Sequence, residues 1–510
     1  MTRKRTIERR WVLALAVAVI VAAGAQLSAR QSLTAEWRAQ HERQIVDELI
    51  ALVAIPNVAA TNDADLLKNV ALLTEMFRRR GFTVEATRDA VSPVILASLD
   101  VPQPRGTLTI YIHYDGQPVT ASEWTRCGPF TPCVIGPSGR IALGAGVTSF
   151  SPDWRIYGRS ASDDKAPIVA LVSAVDALKA AGHNPAWNLR VVLDGQEEAG
   201  SVNFRRFAAE RAGAITSDLA IMLDGPRHPS GRPTVYFGVR GGAGLTVTVY
   251  GAKRDLHSGN YGNWAPDPSM RLAQLLATMK DDNGRVLIEG FYADVTPLTP
   301  TESRALDEAP NVEALLKKEF AVAQPERAEE RLERKLNTPT LSVLAMESGG
   351  GLDAPARSAI PRLAAARLEM RLVNGLVPAK QTDLVVAHIR KQGYFVVLDR
   401  DPTDEERVTH PRLARVDRRG GNPASRVSMD DPMGRAVVAA LSQNGVVPVL
   451  LPTLGGSMPY GSFSDQLKLP TVGISIVNYD NNQHGPDENL RIGNLWEGIE
   501  MLASVLTMAK

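Results

Sequence analysis

The stretch Leu108-Thr109-Ile110-Tyr111-Ile112-His113-Tyr114-Asp115-Gly116-Gln117 decides the fold. Its apolar part is short and β-rich, so it reads as a strand. It ends in a histidine and a carboxylate. Working outward, the same design recurs: Leu189 to Leu193 runs into Glu197-Glu198, Leu219 to Leu223 into Asp224, and Thr471 to Val477 is followed by His484. Helical periodicity lies between these runs, at Ala166 to Ala181 and around Val202 to Arg211, and an amphipathic helix over Thr34 to Val58 precedes them, ending at Pro56. Strand, helix, strand in that order predicts an α/β domain with a mostly parallel sheet covered by helices.

The pattern changes near Gly241. Leu245 to Tyr250 alternates, Pro268 to Lys280 is helical, Ala364 to Val373 alternates, Gln381 to Gln392 is helical and Tyr394 to Leu398 is a strand. Two βα units with an antiparallel sheet predict a smaller α+β, ferredoxin-like domain. Within it, Thr301 to Leu336 reads as a charge-rich helical insertion, and Gly241-Gly242-Ala243-Gly244 as a hinge. A polar stretch, Asp401 to Asp431, follows, and then the first pattern returns with a helix at Pro432 to Asn444, strands at Val447 to Leu451 and Thr471 to Val477, and a last helix from Asn494. The domain boundaries predicted are a first catalytic part at 34–240, an inserted domain at 241–402 and a second catalytic part at 403–510.

The chain has 510 residues, long enough for two or three domains. Lys+Arg 57 against Asp+Glu 56 leaves no global field to attract nucleic acid or an anionic membrane surface. Arg3, Lys4, Arg5, Arg9 and Arg10 precede an apolar run from Trp11 to Ala25 and small-residue sites near Ala25 and Ala29. That order predicts a signal peptide over residues 1–29 and an exported, periplasmic or secreted protein. The apolar run, about 15 residues, is short of the roughly 20 that span a bilayer; the alternative is a membrane tether through an uncleaved signal. Cys127 and Cys133 are the only cysteines; outside the cytoplasm they can close a short loop, but they form no disulfide scaffold and no zinc ribbon. Any metal must then be held by His and carboxylates.

In open α/β sheets the ligand crevice lies beyond the carboxyl ends of the strands, so His113, Asp115, Glu197, Glu198, Asp224 and His484 are expected on one rim, joined by Asp163-Asp164 in a turn just before a helix. A set without thiolates suits two divalent ions, Zn first, with Mn or Co as alternatives. Such a pair requires a bridging carboxylate and makes hydrolysis feasible at neutral pH. Asp115 is placed to orient His113, and one of the adjacent glutamates is left to move a proton.

The segments IHYDGQPV, YGRSASDDKAP, DGQEEAGS, the Asp224 strand end, GVRGG, RDLHSG, LEMRLV, GGSMP and HGPDENL resemble, in order, the signature of the di-zinc aminoacylase/carboxypeptidase/dipeptidase family of metallopeptidases, most closely its dipeptidase branch. The resemblance spans about residue 35 to 510. It implies that His113 and Asp224 are ligands of one metal, Glu198 and His484 of the other, and Asp163 the bridge, with Asp115 orienting His113 and Glu197 acting as general base and acid. It implies a homodimer in which the inserted domain is a lid and dimerisation domain, with His257 reaching the partner's site. It also implies that Arg371 holds a substrate carboxylate and that Gly455-Gly456-Ser457 lines the pocket.

Thr453-Leu454 stands where the dipeptidase branch usually has Arg-Glu, and the stretch from Glu123 to Ser151 is longer than in most relatives and reads as a rim loop. Small peptides are therefore the first substrate class, cleaved by a dipeptidase or carboxypeptidase, and N-acyl amino acids or other small amides the second. A third reading, an inactive binding protein on the same fold, conflicts with the complete ligand set.

Overall fold

The computed structural model describes residues 34–59, 63–87, 92–351, 357–443, 445 and 447–510; the signal peptide expected at 1–29 lies outside the described residues. The Leu108 stretch lies in the middle of a sheet whose strands are β1 (Thr83–Ala86), β2 (Ile95–Leu99), β3 (Thr107–His113), β4 (Asn188–Asp194), β5 (Leu219–Met222), β6 (Thr234–Tyr236), β7 (Val449–Leu451) and β8 (Thr471–Ser475). Their order is β1-β2-β4-β3-β5-β8-β6-β7. β3 pairs in parallel with β4 and β5, and β8 in parallel with β5. β2 and β6 run antiparallel to the strands of that parallel core. Every residue of β5 and β8 is buried, as apolar runs covered on both faces require. The helix Lys165–Ala180 is buried at every position from Lys165 to Leu178 except Asp176 and packs against the helix Ile492–Leu506. An all-round apolar helix belongs in an interior, and each buried Val, Leu or Ile contributes roughly 1.5–3 kcal/mol.

The chain divides into two compact units. The described residues up to Phe237, with Val427–Leu451 and Met458–Lys510, form one; Gly238–Arg426 with Pro452–Ser457 form the other. The second is built on a five-stranded sheet in the order Thr340–Ser348, Leu363–Leu372, Gly241–Tyr250, Leu413–Asn422, Phe395–Leu398. All its pairings are antiparallel except the last. Leu245, Val247, Val249, Leu368, Met370, Val385 and Ile389 are among its core residues, and the helices Pro268–Ala277 and Pro378–Lys391 pack on the sheet. The fold is thus an α/β domain carrying an inserted α+β domain.

Several expected boundaries move. The second unit runs past residue 402 to Arg426 because the polar stretch 401–431 contains the helix Asp404–Thr409 and the strand Leu413–Asn422, paired to Gly241–Tyr250. It also takes residues 452–457 out of the second catalytic part. The glycine run at 241–244 starts a strand, where a Cβ on Gly241 would collide with the Asn422 carbonyl. The first helix stops at residue 53, ahead of Pro56, whose ring disfavours helical geometry in the residue before it. The 301–336 insertion is helical in three pieces, Pro300–Glu308, Glu313–Glu319 and Leu332–Leu336, the first closed by a Thr299/Glu302 capping box. The 123–151 stretch carries the strands Cys133–Gly136 and Gly139–Ile141 of a small sheet with Arg155–Tyr157 and Asn489–Arg491, and Cys127 and Cys133 are disulfide-bonded.

Candidate metal centre and active site

The carboxyl ends of β3, β4 and β5 deliver His113, Glu197-Glu198 and Asp224 to one rim of the first unit. Two groups of potential metal ligands form there: His113, Asp164 and Asp224, all buried, and Asp163, Glu198 and His484. Asp163 faces both histidines. Its Oδ1 is 2.8 Å from His113 Nε2, and its Oδ2 is 3.2 Å from His484 Nε2. Asp224 Oδ2 lies 3.9 Å from His113 Nε2 and Glu198 Oε2 3.5 Å from His484 Nε2.

Asp115 is fully buried and occupied on both oxygens: Oδ1 accepts from Glu197 N at 3.0 Å and Oδ2 from Glu198 N at 3.1 Å. The same Oδ1 is 3.4 Å from His113 Nδ1. One carboxylate therefore sets the orientation of the His113 ring and the course of the backbone that presents both glutamates. Gln117 Nε2 donates to Glu198 Oε2 at 2.6 Å. A glycine is required at 116, because a Cβ there would collide with Ser160 Oγ on the turn leading to Asp163.

The electrostatics show what the set lacks. Burial raises the Asp224 carboxyl to about 6 and Glu198 to about 8, and neighbouring carboxylates oppose their ionisation further. Glu197 and Asp164 are likewise raised by burial, with Asp224 adding to the effect on both. Burial would lower His113, but hydrogen bonds to Asp115 and Asp163 outweigh it and hold the imidazole well above its ordinary value. Asp163 is held low by the two histidines against its own burial. Its Oδ2 is buried and, among the described residues, has no partner besides the His484 ring 3.2 Å away. Carboxylates crowded out of water around two imidazoles call for cations, and donors of only imidazole and carboxylate fit divalent ions of the zinc, manganese or cobalt type.

Of the remaining sequence-selected residues, His257, Arg371 and Gly455-Gly456-Ser457 belong to the second unit. His257 is exposed and caps the turn that follows it, Nδ1 accepting from Gly259 N at 3.1 Å. Arg371 Nη1 donates to Ser457 Oγ at 3.2 Å, and Ser457 Oγ donates to Arg240 O at 2.7 Å. Arg371 also pairs with Glu369 at 3.1 Å. Gly456 has open space where a side chain would be. Arg240 was not selected from sequence; it is buried, and desolvation together with Arg371 lowers it to about 10. Asp164 was seen only as a neighbour of Asp163, yet it is the residue grouped with His113 and Asp224. Adjacent acids before a helix signalled the pair, but sequence could not say which way each turns.

A parallel sheet whose strand ends gather buried carboxylates around two imidazoles is the framework of a metal-dependent hydrolase. The chain belongs to peptidase family M20/M25/M40, whose model matches residues 109–508, and it is a metallopeptidase. It is 24% identical over 487 residues to the Cys-Gly metallodipeptidase of Candida albicans, covering 91% of this chain and 94% of that one. To the human Beta-Ala-His dipeptidase it is 25% identical over 430 residues, 81% of this chain and 77% of the relative. Among solved structures it resembles an M20 family metallo-carboxypeptidase from Sulfolobus solfataricus, with a TM-score of 0.72 and 28% identity over 91% of this chain and 98% of that one.

Proposed function

We propose that the protein is an exported two-metal peptidase that hydrolyses the amide bond next to the free carboxylate of dipeptides or other short peptides. The observation that carries this reading is Asp163, with one oxygen toward His113 and the other toward His484. In it, His113, Asp164 and Asp224 would hold one ion and Glu198 and His484 the other, with Asp163 available to both. When bound, the ions supply Lewis-acid polarisation of a carbonyl and acidification of water.

The protein's own groups do the rest. Asp115 keeps His113 oriented and holds the backbone of Glu197 in place. Glu197 takes the proton from the attacking water and returns it to the leaving amine, the two halves of acid–base catalysis. Arg371, steadied by Ser457, receives the substrate carboxylate through its planar fork of donors. The two curated relatives are named for dipeptides, which supports a small peptide as substrate.

Export is supported by the basic-then-apolar N-terminus and by the Cys127–Cys133 disulfide, a bond at home in an oxidising compartment. Among the described residues no helix is long and apolar enough to cross a membrane. A homodimer is supported by Val343, Leu344 and Met346, exposed on the edge strand Thr340–Ser348 of the second unit. Buried Thr453 and Leu454, in place of the Arg-Glu usual in the dipeptidase branch, favour N-acyl amino acids as a second substrate class. A panel of dipeptides, C-terminally amidated dipeptides and N-acyl amino acids decides between them. The proposal expects free dipeptides to be cleaved with the highest kcat/KM and amidation or Arg371→Ala to raise KM; preference for acylated amino acids would replace it with the second class.

A further inference from the structure

Four residues beyond His484 the first unit holds a buried carboxylate that belongs to neither ligand group. Glu488 is 0% exposed and fully engaged. Its Oε1 accepts from Ser162 N at 3.1 Å, Ser162 Oγ at 2.9 Å and Asp163 N at 3.0 Å. Its Oε2 accepts from Ser160 N at 3.0 Å and from Arg159 Nη1 at 2.7 Å. The Glu488 carbonyl accepts from Gly158 N at 3.0 Å. Arg159 in turn donates through Nη2 to Gly485 O at 3.2 Å and His484 O at 3.4 Å. One carboxylate–guanidinium pair therefore fastens the turn that presents Asp163 to the loop that presents His484, segments more than three hundred residues apart in sequence.

Both segments are held in unusual backbone geometry. Ser160, His484 and Asp487 have φ of 63°, 65° and 55°, a left-handed conformation that non-glycine residues keep only where their surroundings over-determine it. Asp487 adds a further tie, accepting from Thr125 N and Arg126 N at 3.0 and 2.9 Å, and Arg159 N donates to Pro129 O at 2.8 Å inside the disulfide-closed loop. Apart from His484, none of these groups is a ligand candidate. All of them bear on where Asp163 and His484 stand.

We propose that Glu488, acting through Arg159, is a positioning residue that sets the separation of Asp163 and His484 and hence chiefly the cation affinity of the Asp163–Glu198–His484 group, to which both clamped residues belong, and to a smaller degree, through Asp163 alone, that of the His113–Asp164–Asp224 group. The proposal rests on the two-metal reading above. In Glu488→Gln the amide NH2 must face backbone N–H groups or the guanidinium, so the clamp loosens while the side chain keeps its shape.

The test is Zn2+ titration of metal-free full-length protein against a chromophoric chelator, with Co2+ absorption spectra as a second readout. Wild type should bind two equivalents. Glu488→Gln should bind one equivalent with affinity near that of wild type and the other about 10–100-fold more weakly, the usual cost of disturbing a group that orients a ligand. Its Co2+ spectrum should change most for that equivalent. Saturating metal should restore kcat with peptide KM unchanged, which a general loss of structure would not allow. If Glu488→Gln does not fold, Arg159→Lys decides the matter, because it keeps a cation beside Glu488 and removes the bridge to His484 O and Gly485 O; the same selective loss is expected. A folded variant that binds both equivalents with wild-type affinity, or weakens both equally, overturns the proposal, as does failure of both variants to fold. A wild type that binds no Zn2+ at all instead sinks the two-metal reading on which it rests.

Discussion

At the scale of single residues, the site is legible because its chemistry needs particular atoms at strand ends. His113 and Asp224 could be picked out since each terminates an apolar run, and Glu197-Glu198 since they follow another. What could not be read is which oxygen faces which imidazole. Nor does sequence show that Asp164 lies with His113 and Asp224, or that Glu488 and Arg159 meet the turn before Asp163, because these contacts exist only after distant loops meet. Glu197→Gln should retain its metal and lose on the order of 10²–10⁴ in kcat, the usual contribution of general acid–base groups; metal analysis with turnover measurement checks this, and near-normal turnover would remove Glu197 from its role. A second prediction concerns Asp194 at the end of β4, which accepts from Tyr111 Oη at 2.9 Å and from Gln196 N at 3.0 Å. Burial, reinforced by Asp115, raises it to about 6. A raised carboxyl pKa means that the folded state holds the proton more tightly, so its contribution to stability falls as pH rises from about 4 to 6 and stays lost above. Asp194→Asn should therefore gain on wild type over that window, by about 2 kcal/mol, in denaturant titrations; a constant difference across pH would contradict the assignment.

At the scale of elements, the parallel core β4-β3-β5-β8 was recoverable from uninterrupted Val, Leu and Ile runs, and the helices that cover it from their periodicity. The strands Thr340–Ser348 and Leu413–Asn422 were not. Leu413–Asn422 carries Arg415, Asp417, Arg418 and Arg419 and ends in two glycines, so its composition reads as loop; the pairing with Gly241–Tyr250 that makes it a strand is a long-range fact. Close packing between elements also reaches the site. Gly473 of β8 sits opposite Tyr236 of β6, a Cβ there would fall within the tyrosine ring, and Tyr236 Oη donates to Asp224 O at 2.9 Å. Gly473→Ala should cost about 3 kcal/mol or more by overpacking and, by displacing Tyr236, loosen metal retention as well. A thermal melt read beside metal content would show both effects; unchanged metal retention would disconnect Tyr236 from the site.

At the scale of the whole molecule, the first unit holds the candidate metal groups and the second holds Arg240, Arg371, Ser457 and His257. The order of segments was legible because the hydrophobic period changes near residue 241 and changes back, whereas the return at 426 was hidden by the charged strand before it. The exposed edge of the second unit makes self-association a testable property. Leu344→Glu with Met346→Lys should shift the protein from dimer to monomer in sedimentation velocity, and an unaltered sedimentation coefficient would move the interface elsewhere. The measurement closest to the central claim is metal stoichiometry of purified protein followed through chelation and stepwise re-addition of Zn2+, Mn2+ or Co2+ with dipeptide turnover recorded at each step. The account predicts two ions per chain at full occupancy, loss of turnover on chelation and its recovery as the second equivalent is restored. Turnover that survives complete removal of metal, or a single ion sufficing for full activity, would contradict it.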